Sequence, residues 1–334
     1  MKGPILGWDI GGANIKAALI DDEYAAPVVA ERPFALWREP QRLASILVET
    51  ADSLPTPRAM AVTMTAELAD CFATKREGVA FVLDALRAAF PAVDPWIYGV
   101  DGRFRSIDAA HHQPQLVAAA NWMASATLVA QTVPDALFID VGSTTTDVVP
   151  IVGGQVVAVG RTDPDRLRSG ELVYTGALRT PVCAIVSSVP LRGDRCRVAA
   201  EHFAIAADVH RWLAHIEECD YRCETPDGRG RSRSEAGARL ARMVCADLEM
   251  IGAEEITAIA EHVARAQARQ IAAAVRDVST RLGSDCPHVA ILAGHGAFLA
   301  KAALEDADLE IRDLATGFGP AVAVAYLLAQ MAAI

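Results

Sequence analysis

Two short stretches carry the residue types of phosphate and metal chemistry. One is DIGGANIK, beginning at Asp9; the other is DVGSTTTD, beginning at Asp140. Aligned on the aspartates, Gly11 meets Gly142, Gly12 meets Ser143, Asn14 meets Thr145 and Lys16 meets Asp147. Each copy puts a carboxylate near the end of an apolar run and follows it with a bend of small residues. Small residues let backbone N–H groups approach phosphate oxygens closely. Ser143, Thr144 and Thr145 add hydroxyl donors without bulk. A carboxylate beside a phosphate repels it unless a divalent cation lies between, and Mg²⁺ commonly takes one or two carboxylates with phosphate oxygens and waters. Asp9 and Asp140 are therefore candidate metal ligands. Gly11, Gly12, Asn14, Ser143, Thr144 and Thr145 are candidate diphosphate contacts. Lys16 could add a cation but is equally a surface residue on the outgoing strand, and Asp147 has no assigned role. The competing reading has the aspartates fixing turns while the hydroxyls satisfy local backbone. One copy alone favours that reading; two aligned copies favour phosphate.

The elements that must position these bends alternate between strand and helix patterns. PILGWDI and NIKAALI are predicted to pair as a hairpin, followed by a helix in QRLASILVETADSL, a strand in RAMAVTM, a helix in REGVAFVLDALRAAF and a strand in PWIYGVD. QLVAAANWMASATLVAQTV is predicted as one long helix leading into the strand ALFIDVG. A second hairpin is expected from TTTDVVPIV and QVVAVGR around Gly153 and Gly154. Residues 161–182, rich in charge, Gly and Pro, are expected as a site-forming loop. Residues 201–217 and 234–282 are predicted helical, PHVAILAG a strand and AVAVAYLLAQMAAI the closing helix. Two halves that each begin strand, small-residue bend, strand imply an α/β chain with an internal duplication. The expected division is an N-terminal lobe over 1–133 and a C-terminal lobe over 134–334, with the last helix packing back on the first lobe.

Composition narrows the function classes. With 52% hydrophobic residues the 334-residue chain can bury substantial cores, and with only 6% aromatics it must build them from aliphatic side chains. A net charge of -11 argues against nucleic acid or an anionic membrane as partner. Seven cysteines at irregular spacing argue against a disulfide framework and for a reduced, cytoplasmic protein. His215, Cys219 and Cys223 could share a helix face, although their spacing matches no common zinc signature. The N-terminal apolar run is broken by Asp9 and two glycines, so it is not read as a signal peptide, and the C-terminal apolar run is read as a buried helix. Small-molecule substrates, no nucleic acid, no membrane and an optional homo-oligomer are the expected partners.

DIGGANIK and DVGSTTTD resemble the two phosphate motifs of the actin-like ATPase superfamily, with its sugar and acetate kinases, Hsp70 and hydantoinase/oxoprolinase subunits. The resemblance implies a two-lobed actin-like (ribonuclease H-like) fold with a ligand cleft between the lobes. It also implies a third glycine turn, matched here by VAILAGHGAFL with Gly294 and Gly296 as further candidate diphosphate contacts, although His295 separates the two glycines. A narrower resemblance spans nearly the whole chain. VTMTAELADCFATKREGV, NWMASA, DVGSTTTDVVPI, RTDPDRLRSGELVYTGALRTPV and YRCETPDGRG are similar to the methanofuran-biosynthesis furan-methanamine synthases, whose methylotroph relatives are tied to tetrahydromethanopterin-linked one-carbon metabolism. That family is associated with joining an aminomethylfuran-methyl diphosphate to the phenol of a γ-glutamyl-tyramine, with release of diphosphate.

On that resemblance the bends serve a leaving diphosphate, with Mg²⁺, and ATP is not expected to be required. The phenol needs a base. Glu67 or Asp70, just after a strand, are the candidates, with Asp101 at the end of another; each carboxylate can equally be a helix-entry residue. Lys75 and Arg76 are further candidate diphosphate contacts. Asn121, Asp163, Arg166, Tyr174 and Arg179 are candidate substrate contacts, and Arg229, Arg231 and Arg233 offer forks for a substrate carboxylate or form a solvated basic loop. The alternatives are an ATP-dependent small-molecule kinase or hydantoinase/oxoprolinase-like ATPase, and a non-catalytic nucleotide-sensing or scaffold protein.

Overall fold

The computed structural model describes residues 3–21, 26–314 and 319–331. The buried apolar run ILGWDI forms β1 (Ile5–Ile10), antiparallel to β2 (Asn14–Ile20), with Asp9 opposite Lys16. β3 (Val28–Pro33) pairs with β2 and sets Glu31 opposite Lys16. α1 (Leu43–Ala51) crosses to β4 (Ala59–Met64), which runs parallel to β1 with Thr63 opposite Asp9. α2 (Lys75–Ala89) starts where the Thr74 hydroxyl accepts a hydrogen bond from the Glu77 N–H at 3.1 Å, satisfying a donor that the first turn leaves free. β5 (Trp96–Tyr98) and β6 (Phe104–Arg105) complete a sheet of order β3-β2-β1-β4-β5-β6. α3 (Ile107–His112) and α4 (Asn121–Ala130) follow. The long helix predicted through residues 115–133 is therefore shorter. Pro114–Leu116 makes a single 3-10 turn and Ala119 takes φ +50°, so helical backbone resumes only at Asn121.

The pattern then repeats. β7 (Ala136–Val141) neighbours β8 (Thr146–Val152), and β9 (Gln155–Val156) is a two-residue return where a longer strand was expected. The segment expected as a loop holds three elements: α5 (Asp163–Ser169), β10 (Leu172–Val173) and the start of α6 (Val182–Ile185). β11 (Ser188–Leu191) and β12 (Asp194–Arg197) form a separate hairpin. α7 (Ala206–Trp212), α8 (Arg233–Arg242) and the 30-residue α9 (Ala253–Leu282) carry the helical part, with a break at 243–252 inside the span predicted as continuous. β13 (Val289–Ala293), α10 (Ala297–Ala303), β14 (Glu310–Asp313) and α11 (Pro320–Met331) close the chain. The second sheet has the order β10-β8-β7-β13-β14, with β7, β13 and β14 parallel.

Two compact units result: Met1–Asp135 with Ile151–Arg166 and Leu314–Ile334, and Ala136–Pro150 with Leu167–Asp313. The first buries Leu6, Trp8, Val62 and Leu83 between its sheet and helices, and α11 covers β1 and β2 through Ala321 and Val322. The second has one core under its sheet, around Ile139, Val148, Ile271 and Leu292, and another among α7, α8 and α9, around Val209, Leu240 and Ile259. Each such side chain contributes about 1.5–3 kcal/mol on burial, so both bends rest on strands that are costly to displace. No helix among the described residues is long and apolar enough to cross a membrane.

Candidate active site

The aligned bends share their geometry. The Gly11 N–H donates to the Asn14 carbonyl at 3.0 Å, and the Gly142 N–H donates to the Thr145 carbonyl at 2.9 Å. The next parallel strand ties each bend down in the same way, through Thr65 N–H to the Ile10 carbonyl and Gly296 N–H to the Val141 carbonyl, both 2.9 Å. Residues 11–14 and 142–145 are all half-buried, so their backbone groups remain within reach of a ligand. The hydroxyls of Ser143 and Thr144 lie 3.4 Å apart.

The surroundings of the two aspartates differ. Asp9 lies in a cross-strand row with Thr63 on one side and Lys16 and Glu31 on the other. Burial pushes its carboxyl up to about 6, Lys16 pulls it back, and Glu31 adds to the rise. Its Oδ1 is buried with no hydrogen-bond partner among the described residues. Lys16 Nζ lies 3.8 Å from Glu31, so its charge is shared between two carboxylates. Half-buried Asp140 is instead backed by the third glycine turn. A side chain at Gly294 would meet Asp140 Oδ1 at 2.4 Å and the Val141 carbonyl at 2.2 Å, and its φ of +84° suits only glycine. Among the described residues no three His, Cys, Asp or Glu side chains converge on a metal position. Single carboxylates at strand ends suit Mg²⁺, which takes its remaining ligands from phosphate and water, and the unpartnered Asp9 oxygen is a donor of that kind.

The bend after Asp140 has a support that sequence reasoning missed. Ala177 donates to the Gly142 carbonyl at 2.9 Å, and Leu178 and Arg179 donate to the Ser143 carbonyl at 3.1 and 2.8 Å. Gly176 packs so closely that a Cβ there would lie 2.5 Å from the Thr144 nitrogen. Behind it, Gln267 of α9 is fully buried and donates both amide hydrogens, to Thr175 Oγ1 at 2.9 Å and to the Gly176 carbonyl at 2.7 Å. Its oxygen sits 3.0 Å from His210 Nε2, and burial pushes the His210 imidazole down to about 3 against the opposing pull of Gln267, so it is neutral and donates. The signal was present in the sequence: Gln267 occupies the apolar register of Ile256, Ile259, Val263, Ile271 and Ala274.

In the first unit, the loop after β4 carries an ionisable cluster. Glu67 is 1% exposed, and Lys75 Nζ lies 3.8 Å from its Oε1 and 2.5 Å from Asp163 Oδ2. Two carboxylates thus flank one ammonium. Burial pushes the Glu67 carboxyl up to about 7; Lys75 and the backbone N–H groups of Glu67 and Ala119 pull it back, and Asp163 pushes it further up. A carboxyl poised near neutrality beside a partly exposed ammonium can take up or release a proton at working pH. Glu67 Oε2 is buried with no hydrogen-bond partner among the described residues.

The other predicted residues fall in different settings. Asp70 is exposed, and both Asp101 oxygens accept from Arg105 Nη2, at 3.0 and 2.8 Å. Asn121 is half-buried at the start of α4. Arg166 was expected to reach substrate, but it is 1% exposed, with its guanidinium 3.9 Å over the buried Trp122 ring. Tyr174 is 62% exposed and Arg179 is exposed. α7 ends at Trp212 and Cys219 lies in a short 3-10 turn, so His215, Cys219 and Cys223 share no helix face.

Residues 58–334 match the hydantoinase/oxoprolinase family. The chain is 40% identical over 258 residues to the (4-{4-[2-(gamma-L-glutamylamino)ethyl]phenoxymethyl}furan-2-yl)methanamine synthase of Methanocaldococcus jannaschii, covering 77% of this chain and 76% of that protein. The synthase of the same name from Methanococcus vannielii is 37% identical over 147 residues, 44% of this chain and 66% of that protein. Among solved structures, nucleotide-free acetone carboxylase superposes with a TM-score of 0.63 at 11% identity, covering 97% of this chain and 70% of that one. At that identity the likeness speaks to the fold alone, which is the actin-like ATPase fold expected from the paired motifs. The chain belongs to the hydantoinase/oxoprolinase family and, with its curated relatives, to the (4-{4-[2-(gamma-L-glutamylamino)ethyl]phenoxymethyl}furan-2-yl)methanamine synthases.

Proposed function

We propose that this protein is a transferase of methanofuran or methylofuran assembly. It joins an aminomethylfuran-methyl diphosphate to the phenol of a γ-glutamyl-tyramine-type acceptor and releases diphosphate. The observation that carries the reading is the 40% identity over 77% of the chain to a synthase whose product name contains a phenoxymethyl-furan, an aryl ether.

The residues suit that reaction. The bond from the furfuryl carbon to the diphosphate oxygen breaks, and its electron pair leaves with diphosphate. The furan ring delocalises the positive charge left behind, and the phenol oxygen bonds to that carbon as it loses its proton. Donors aimed at the oxygen where negative charge grows lower the barrier. The backbone N–H groups of Gly12 and Asn14 and the hydroxyls of Ser143, Thr144 and Thr145 are those donors in this proposal, while the Gly11 N–H closes the bend onto the Asn14 carbonyl. Asp9 and Asp140 are the residues that would hold Mg²⁺, which when bound supplies charge neutralisation for the departing diphosphate. The phenol proton goes to the Glu67–Lys75–Asp163 cluster. Lys75 and Asp163 are the members a substrate can reach, at 21% and 23% exposure, and Glu67 is the member whose proton affinity lies near neutrality. No step consumes ATP.

The test is to supply the furan diphosphate, γ-glutamyl-tyramine and Mg²⁺ without nucleotide and to follow diphosphate and ether together. Equal amounts of both products are expected. Ether that forms only with ATP, or ATP hydrolysis without ether, would overturn the proposal.

A further inference from the structure

The second unit presents a charged cleft of about 640 Å³, lined by Glu218, Glu224, Thr225, Arg229 and Arg231 among others. The loop that forms it, residues 224–231, is exposed over much of its length yet held from several sides. Asp227 anchors it: its two oxygens accept from Arg239 Nη1 at 3.1 Å and Arg242 Nη1 at 2.9 Å. Arg239 also donates to the Gly230 carbonyl at 3.1 Å, and Gly230 donates to Glu235 at 2.9 Å. The Thr225 hydroxyl donates to the Arg229 carbonyl at 2.7 Å. Arg239 is itself fully buried against Asp208, which also accepts from the Tyr221 hydroxyl. A buried ion pair of this kind adds little net stability against an apolar replacement, so its effect here is to hold one loop geometry.

That geometry offers both signs of charge to solvent. Arg229 is an exposed residue of the lining with no side-chain partner among the described residues, while Arg231 donates to the Cys223 carbonyl at 3.2 Å and keeps other N–H groups available. Glu218, 3.9 Å from Arg211, and Glu224 line the same cleft. Hydrogen bonds tie the loop back to the phosphate bend: Leu178 donates to the Ser143 carbonyl at 3.1 Å, its own carbonyl accepts from Ala207 at 3.0 Å, and Asp208, next in the chain, holds the Arg239 that donates to Gly230.

We infer that this cleft binds the free α-amino-acid end of the acceptor's γ-glutamyl group. Arg229 and Arg231 take its carboxylate, and Glu218 and Glu224 face its ammonium. Arginine forks match a carboxylate in shape and charge, and a rim of both signs matches a zwitterion better than a simple anion. The inference rests on the proposed ether-forming reaction and names the part of the molecule that selects its acceptor.

The test uses the full-length protein with two acceptors, γ-glutamyl-tyramine and tyramine, and the variants Arg229→Ala, Arg231→Ala and Arg229→Lys. Thermal melting confirms that each variant is folded. Wild type is expected to bind γ-glutamyl-tyramine at least tenfold more tightly than tyramine in calorimetry. Arg229→Ala and Arg231→Ala should each raise KM for γ-glutamyl-tyramine about tenfold, with Arg229→Lys recovering part of the loss. KM for the furan diphosphate should not move. If wild type forms no ether with either acceptor, the reaction itself is wrong. If wild type forms ether but the alanine variants keep their KM, or lose affinity for both acceptors equally, the cleft assignment is overturned.

Discussion

The bends after Asp9 and Asp140 have the same backbone and opposite surroundings. Each closes with a glycine N–H donated three residues ahead and is tied to its parallel neighbour at one carbonyl. The first bend is bare: Gly, Gly, Ala and Asn, with Lys16 and Glu31 in the row behind its aspartate. The second carries three hydroxyls and leans on the 175–180 loop, which a fully buried glutamine braces. The loops that follow the neighbouring strands diverge further. After β4 comes Glu67 with Lys75 and Asp163; after β13 comes a glycine turn pressed on Asp140. On the proposed function, the duplicated scaffold offers an anion-binding backbone twice, and the buried Glu67 with Lys75 and Asp163 assigns the proton chemistry to the first copy.

If the duplication extends to metal binding, removing either aspartate's charge should be equally severe. Asp9→Asn and Asp140→Asn should each lower kcat by about 10³-fold, measured as diphosphate release at saturating Mg²⁺; near-normal turnover in one would confine the metal to the other copy. The proton function should be one-sided. Glu67→Gln should cost about 10²-fold in kcat/KM, whereas His295, in the corresponding loop of the second copy, should tolerate alanine. Glu67 also affects stability. Its folded proton affinity is raised from 4.5 to about 7, so the stability it contributes is complete below about pH 4.5 and is lost as pH rises through 7; Glu67→Gln should flatten that part of a melting-versus-pH curve.

The bracing of the second bend sets the next scale. Gly176→Ala forces a methyl against Thr144 and should raise KM for the diphosphate substrate about tenfold, with about 2 kcal/mol lost in denaturant melts. The smallest effect belongs to the first copy's surface. Lys16→Ala removes a partly exposed 3.8 Å ion pair with Glu31 and a cation acting on Asp9, and should change stability by less than about 1 kcal/mol.

Much of this comparison could be read from the chain before any coordinates. The paired motifs, their flanking strands and the aspartates at the strand ends are local patterns, and apolar runs broken by small residues announce them. Glu67 could be singled out because it follows a buried strand. Its environment could not: Asp163 reaches Lys75 across 88 residues to complete the cluster around Glu67. The segment around Asp163 looked like a loop because its Gly, Pro and charges hide a seven-residue helix. Arg166 seemed a substrate fork because its type suits one, while stacking on Trp122 is a tertiary outcome. Gln267 was visible as a polar residue in an apolar register, but its partners come from segments more than fifty residues away.

Whether one copy alone handles the proton is decided by a pH profile. kcat/KM for ether formation should be measured from pH 5 to 9 for wild type and Glu67→Gln at saturating furan diphosphate and Mg²⁺. Wild type should rise through about pH 7 to a plateau, and the variant should be slow throughout and lack that rise. The same rise in both proteins would contradict a proton function confined to the first copy.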